Sequence, residues 1–73
     1  MKYDISKMYE WRKEFQRLFM QTRPLIAQWH KHSQAEDDYY FGGFTPGEAV
    51  IDCLTVKLNI HLSEEDYFNL IDK

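Results

Sequence analysis

Six apolar side chains recur mostly at intervals of three or four near the start of the chain, and this stripe constrains the fold more than any other feature. They are Ile5, Met8, Trp11, Phe15, Leu18 and Phe19. Such intervals place side chains along one face of an α-helix, which we predict to cover about residues 5–21. The chain has 73 residues, enough for one small domain spanning residues 1–73, so the rest of that domain must cover the stripe.

Pro24 interrupts this pattern. Proline disfavours helical angles in the residue before it but is well accommodated in the first turn of a helix. We therefore predict a second short helix, with Thr22 as its cap and Pro24 in its first turn, which fades at residues 34–36. Its apolar face would be Leu25, Ile26 and Trp29. A single kinked helix is the alternative interpretation.

The middle of the chain contains a loop signal followed by a helix start. Residues 37–44 are predicted to be a loop, because they contain a Gly-Gly pair and glycine reaches positive φ angles freely. In Thr45-Pro46-Gly47-Glu48, threonine can cap a helix, proline can occupy its first position and glutamate follows three residues after the cap. These residues predict a helix over about residues 46–58 and an extended turn at 59–62. The alternation of apolar and polar residues over 54–62 instead favours a strand.

A last capped helix starts at Ser63, where acidic residues in the first turn complement the helix dipole. The predicted fold class is all-α, a small bundle of three to four short helices, and the alternative is α+β with a strand at about 54–62. The predicted core consists of Trp11, Phe15, Leu18, Phe19, Leu25, Trp29, Val50, Leu54, Leu58, Phe68 and Ile71.

Charge is divided unevenly along the chain. Residues 1–34 contain seven Lys/Arg and three Asp/Glu, a net charge of +4, whereas residues 35–73 contain two Lys and nine Asp/Glu, a net charge of −7. In one interpretation the two halves attract each other within the fold. In the other, one side of the molecule is strongly acidic and suits a basic partner.

The segment around the Gly-Gly pair combines acidic and aromatic residues. The candidate protein-binding residues are Glu36, Asp37, Asp38, Tyr39, Tyr40 and Phe44. Exposed aromatic side chains surrounded by charge are typical of protein interfaces, because a ring contributes a large contact area for little lost entropy. In the alternative interpretation Tyr39, Phe41 and Phe44 lie under the helices and complete a small core.

Residues typical of catalytic and metal sites are few and badly placed. His30 and His32 point to different faces if they lie on a helix, so a metal site with Cys53, His61 or an acid is not expected. Cys53 is predicted to be a buried apolar residue. The acids at residues 64–66 are explained by helix capping. We therefore predict no enzyme activity, no cofactor and no metal.

Basic residues of the first half are the candidate for nucleic-acid binding. They are Lys7, Arg12, Lys13, Arg17, Arg23 and Lys31. Phosphate binding needs clustered cations without neighbouring acids, but Glu10 and Glu14 lie among these residues and the chain has a net charge of −3. Direct nucleic-acid binding is therefore not expected.

Localisation is predicted from three absences. Cys53 is the single cysteine, so no intrachain disulfide forms, and no apolar run reaches the roughly 20 residues of a membrane span. The start of the chain does not resemble a signal peptide. We expect a cytoplasmic protein without membrane contact.

Three functional hypotheses remain. The first is a non-catalytic protein-binding module whose acidic, aromatic-rich face engages a basic surface of a nucleic-acid-handling protein, in the manner of a phage- or mobile-element-encoded inhibitor. The second is a binding protein for nucleotide-like small ligands that acts as a homo-oligomer. The third is a structural or assembly subunit joined through the apolar stripe of the first helix.

Overall fold

The computed structural model describes residues 5–29, 33–71 and 73, and every regular element within them is helical. The α-helices are α1 (Ile5–Thr22), α2 (Pro24–Trp29), α3 (Ser33–Phe41), α4 (Pro46–Asp52) and α5 (Glu64–Ile71). A π-helical turn, Cys53–Lys57, continues α4 directly. The predicted all-α class is therefore confirmed, although the described residues form five α-helices where three or four were expected.

The core forms where α1 faces α4 and the ends of α3 and α5. Phe15 and Phe19 on α1 are fully buried, as are Val50 on α4 and Leu54 in the π turn. The buried apolar cluster consists of Phe15, Leu18, Phe19, Tyr39, Ala49, Val50, Cys53, Leu54, Leu62 and Leu70. Trp11, Ile26, Ile51, Leu58 and Ile60 pack against its edge.

Three residues of the predicted core lie in solvent instead. Leu25 is 71% exposed, Phe68 73% and Ile71 55%. On α5 the side chain that enters the core is Leu70, and Phe68 precedes it by two residues, which places the two on opposite sides of the helix. The prediction was wrong because apolar character alone does not say which face of a short helix is covered. The side chain of Trp29 lies outside the described residues.

Pro24 begins a separate helix, as predicted. Only Arg23 separates α1 from α2, and its backbone N–H donates to the Phe19 carbonyl at 2.8 Å. The hydroxyl of Thr22 does not supply the expected cap: it donates to the Leu18 carbonyl at 2.8 Å, within α1.

The alternative strand at 54–62 is absent from the described residues. Leu54 and Val56 would share one face of a strand, but in the π turn Leu54 is buried and Val56 is 69% exposed. The turn closes when the Leu58 N–H donates to the Cys53 carbonyl at 3.0 Å. Asn59 then adopts a left-handed conformation with φ 57°, which ends the helix, and residues 60–63 belong to no regular element.

Two reciprocal caps fix the starts of α4 and α5. The Glu48 N–H donates to the Thr45 hydroxyl at 3.2 Å, and the Thr45 N–H donates to the Glu48 carboxylate at 3.1 Å. Ser63 and Asp66 exchange the corresponding hydrogen bonds, at 3.2 and 3.4 Å. The predicted starts of both helices are therefore confirmed.

Helices α4 and α5 approach each other closely at Gly47. A Cβ atom at this position would fall far inside the contact distance of the Leu70 carbonyl oxygen, and it would lie 3.0 Å from the Lys73 Cβ. Only a glycine allows this approach, which holds the end of α5 against the start of α4.

Candidate protein-binding surface

Helix α3 replaces the loop that the sequence predicted for residues 37–41, and the Gly-Gly pair ends this helix. Gly43 has φ 87°, its N–H donates to the Tyr40 carbonyl at 3.2 Å, and the Phe44 N–H donates to the Tyr39 carbonyl at 3.1 Å. These two hydrogen bonds and the left-handed glycine form a Schellman cap. The cap also has the usual apolar contact, since the rings of Tyr39 and Phe44 meet at 5.0 Å. We call residues 39–44 the aromatic cap.

Tyr39 is the inward member of the aromatic cap. Its side chain is 4% exposed, and its ring lies 6.3 Å from that of Phe15. The hydroxyl donates to the Asp52 carboxylate at 2.6 Å, and Lys57 places its ammonium 4.8 Å from the ring centroid. Burial, with the neighbouring Asp52 charge, raises the pKa of Tyr39 well above its ordinary value. Tyr39 therefore anchors the cap and cannot contact a partner in this conformation.

Trp11 fixes the cap from the side of α1. Its indole N–H donates to the Phe44 carbonyl at 2.9 Å, and its ring meets the edge of the Tyr40 ring at 5.7 Å. Tyr40 is consequently half-buried. Because backbone and rings are both held, the remaining two rings project from a defined position.

Phe41 and Phe44 are the outward members of the aromatic cap. Phe41 is 55% exposed and Phe44 37%. Phe44 was predicted as a contact residue, whereas Phe41 was considered only as part of the core. Phe41 points outward because residues 39 and 41 lie on opposite sides of the last turn of α3, and Tyr39 occupies the buried side.

The carboxylates beside the cap fall into two groups. Glu36 is only 2% exposed: Gln16 donates to it at 3.1 Å, and the Arg12 guanidinium lies 3.7 Å away. Asp37 is half-buried and accepts a hydrogen bond from the same guanidinium, an interaction that raises the pKa of Arg12. Glu36 was predicted as a contact residue, but its side chain is buried because α1 supplies its partners. These two acids attach α3 to α1.

Asp38 and Glu48 form the outward group of acids. Both side chains are exposed, and within the described residues neither is paired with a cation. Asp38 precedes Phe41 by three residues on α3, so the two are neighbours on the helix surface. Glu48 follows Phe44 by four residues and caps α4. The outward side chains Asp38, Phe41, Phe44 and Glu48 are called the contact face below.

The described arginines are all engaged by carboxylates. Arg12 pairs with Asp37, Arg17 with Glu14, and Arg23 with Asp66 at 3.0 Å. Two of these pairs join the basic first half of the chain to its acidic second half. A phosphate group would have to displace a carboxylate at each of them, which does not favour a nucleotide site.

Cys53 and the histidines provide no assembled reactive group in the described part of the chain. Cys53 is buried, and burial raises the pKa of its thiol. His30 and His32 lie outside the described residues, and His61 is exposed. No group of three His, Cys, Asp or Glu side chains suited to a metal ion occurs among the residues that the structure describes.

The helices within the described ranges include none with both the length and the apolar character required to cross a membrane. Comparison with protein-family models, curated protein sequences and solved structures gave no match to this chain.

Proposed function

We propose that this protein is a non-catalytic binding module that uses the contact face to engage a basic surface of another protein. The observation that supports this most directly is the exposure of Phe41 and Phe44 on a backbone held by the Schellman cap and by Trp11. Rings that are fixed before binding lose little entropy on association. They are therefore suited to act as interface anchors.

Charge favours a basic partner. Asp38 and Glu48 flank the two rings and lack cationic partners in the described part of the chain. A partner with lysine or arginine side chains around an apolar recess would complement both features. Such a recess would receive Phe41, the more exposed ring.

The partner that we propose is a nucleic-acid-handling protein, which this module would inhibit in the cytoplasm. Carboxylates on a rigid face can occupy the cationic surface that otherwise binds phosphate. The chain itself does not offer phosphate a cluster of uncompensated arginines, because Arg12, Arg17 and Arg23 are each paired with an acid. The chain would thus act on the protein and not on its nucleic acid.

Affinity capture with matched variants tests this proposal. Tagged wild-type chain, Phe41→Ala and Asp38→Lys are incubated with lysate of the source cells at low and high salt. Val56→Ala and Glu10→Lys are the controls, since both residues are exposed and lie outside the contact face. We expect a partner that is lost with Phe41→Ala and Asp38→Lys, retained with the controls and weakened by salt.

A partner that both contact-face variants retain at either salt concentration would refute the role of this face. Competition then tests inhibition: adding the wild-type chain should release nucleic acid from the purified partner, and Asp38→Lys should not. Unchanged nucleic-acid binding in the presence of saturating wild-type chain would exclude the inhibitor version.

A further inference from the structure

Helix α5 carries a second apolar surface, separate in sequence from the aromatic cap. Tyr67 is 39% exposed, Phe68 73% and Ile71 55%. Phe68 and Ile71 are three residues apart, and Tyr67 and Ile71 four, so the three side chains are neighbours on the helix. The opposite side of α5 enters the core through Leu70. A short helix thus presents large apolar side chains on both of its sides.

The acids in the first turn of α5 are used unequally. Asp66 exchanges hydrogen bonds with Ser63 and pairs with Arg23 at 3.0 Å. Glu64 and Glu65 are exposed, and neither has a cation partner within the described ranges. They precede Phe68 by four and three residues, which places them at one end of the apolar surface.

We infer that the outward face of α5 is a second docking surface and that its occupant is a cationic amphipathic helix of a partner protein. Glu64 and Glu65 would pair with lysine or arginine side chains of that helix, and Phe68 and Ile71 would pack into its apolar stripe. Helix-on-helix docking uses apolar side chains at intervals of three and four, the intervals that this face presents. This inference does not depend on the contact face of the aromatic cap.

A second copy of the chain is a poorer occupant on grounds of charge. Parallel pairing of two α5 helices would bring the acids against their counterparts. Antiparallel pairing would bring them against the carbonyl end of the other helix, which carries negative dipole charge. Lys73 does not neutralise this negative charge, because its Cβ faces Gly47 on the α4 side. The pKa of Glu14 is lowered mainly by Arg17 and to a smaller extent by the charge of Lys73, which places that charge near α1.

The α5 face is small, so its isolated affinity should be weak. A standard protein interface uses roughly 20 to 30 residues on each side, whereas five side chains on two turns are available here. We expect a measurable but low affinity for a helix alone and a larger contribution when a partner also binds elsewhere on the chain.

NMR titration of the full isotope-labelled chain tests the inference. The probe is a synthetic leucine–lysine peptide of about four helical turns with leucine at helical spacing. The matched control peptide carries glutamate in place of lysine. We expect amide shifts concentrated in α5 with the lysine peptide and none with the glutamate peptide.

Variants separate this surface from the contact face. Phe68→Ala should abolish the shifts in α5, and the double variant Glu64→Gln/Glu65→Gln should weaken binding roughly threefold to tenfold. Phe41→Ala should leave the titration unchanged. Circular dichroism of each variant verifies that its helices form.

Three outcomes would overturn the inference. The first is shifts concentrated at Asp38, Phe41 and Glu48 with α5 unaffected, which would assign the peptide to the contact face alone. The second is equal binding of the glutamate peptide. The third is concentration-dependent shifts of α5 without peptide, which would identify a second copy as the occupant.

Discussion

Replacing Gly47 by alanine should destabilise the protein strongly, because α4 and α5 meet there without room for a side chain. The added Cβ would overlap the Leu70 carbonyl oxygen and would also lie 3.0 Å from the Leu70 carbonyl carbon and from the Lys73 Cβ. Two of these three atoms belong to the backbone, so rotation of a side chain cannot relieve the overlap. The end of α5 would have to move away from α4.

The expected cost is the balance of two effects. Overpacking in a closely packed interior costs about 1–3 kcal/mol, and a backbone clash belongs at the upper end of that range. Alanine recovers up to about 1 kcal/mol, because glycine is the poorer helix former. The free energy of unfolding should therefore fall by about 2 kcal/mol. For a domain of this size that corresponds to a lowering of Tm by roughly 8–16 °C.

Urea unfolding followed by circular dichroism measures this change, and Gly43→Ala is the matched control. Gly43 has φ 87°, and a methyl group added to it would meet no residue beyond its chain neighbours within 4 Å, so alanine there adds only backbone strain of about 1–2 kcal/mol. The Gly47 variant should also lose amide protection in α5, and the Gly43 variant should not. An unchanged or raised unfolding midpoint for Gly47→Ala would show that α4 and α5 are not in such close contact.

Three further predictions concern single residues. Asn59→Gly should raise the free energy of unfolding by about 0.5–1 kcal/mol, because glycine adopts φ 57° without strain; a lower urea midpoint would contradict this. Tyr39→Phe should cost about 1.5–3 kcal/mol, since it removes the hydrogen bond to the charged Asp52, and an unchanged midpoint would show that this bond contributes nothing. Burial alone would raise the pKa of Asp66, but hydrogen bonds from Arg23 and Ser63 outweigh it and lower the pKa below 3.8. The stabilisation that Asp66 provides is therefore complete above its unfolded pKa and is lost as pH falls through its folded pKa. Asp66→Asn should accordingly destabilise the protein at pH 7 and have little effect near pH 2. An equal loss of stability at both pH values would contradict this prediction.

Local signals in the sequence predicted the helix starts well. Thr45 and Glu48 form the expected reciprocal cap, and Pro24 opens α2. These features depend on residues within one turn of each other, so the sequence contains all the information they need. The stripe on α1 was predictable for the same reason, since Phe15 and Phe19 lie four residues apart on one face.

The end of α3 was misread, although its signal lies in the sequence. A glycine preceded by tyrosine at four residues and followed at once by phenylalanine, as at Gly43, is typical of a Schellman cap with its apolar contact. The Gly-Gly pair at residues 42 and 43 was instead interpreted as part of a loop over residues 37–44. That error left Phe41 off the predicted contact surface, because the direction of a ring on α3 can be assigned only once the helix is recognised.

The burial of Glu36 and the exposure of Phe68 could not be predicted from the sequence, because both depend on tertiary contacts. Glu36 is buried because Arg12 and Gln16 lie opposite it, although both are at least 20 residues earlier in the chain. Phe68 is exposed because Leu70 takes the place facing α4. No local pattern specifies which side of a two-turn helix such distant partners will cover.

The π turn at Cys53–Lys57 has a consequence for chain length. Its closing hydrogen bond joins residues five apart, whereas those of an α-helix join residues four apart. The turn therefore holds one more residue than an α-helical turn would, without forming a loop. Val56 in this turn is 69% exposed, so its removal would leave the core side chains in place. A deletion there would remove the extra residue, restore α-helical winding and leave the helical segments on either side in register. Homologous proteins one residue shorter should therefore carry their alignment gap inside this helix and keep the residues that seat α5.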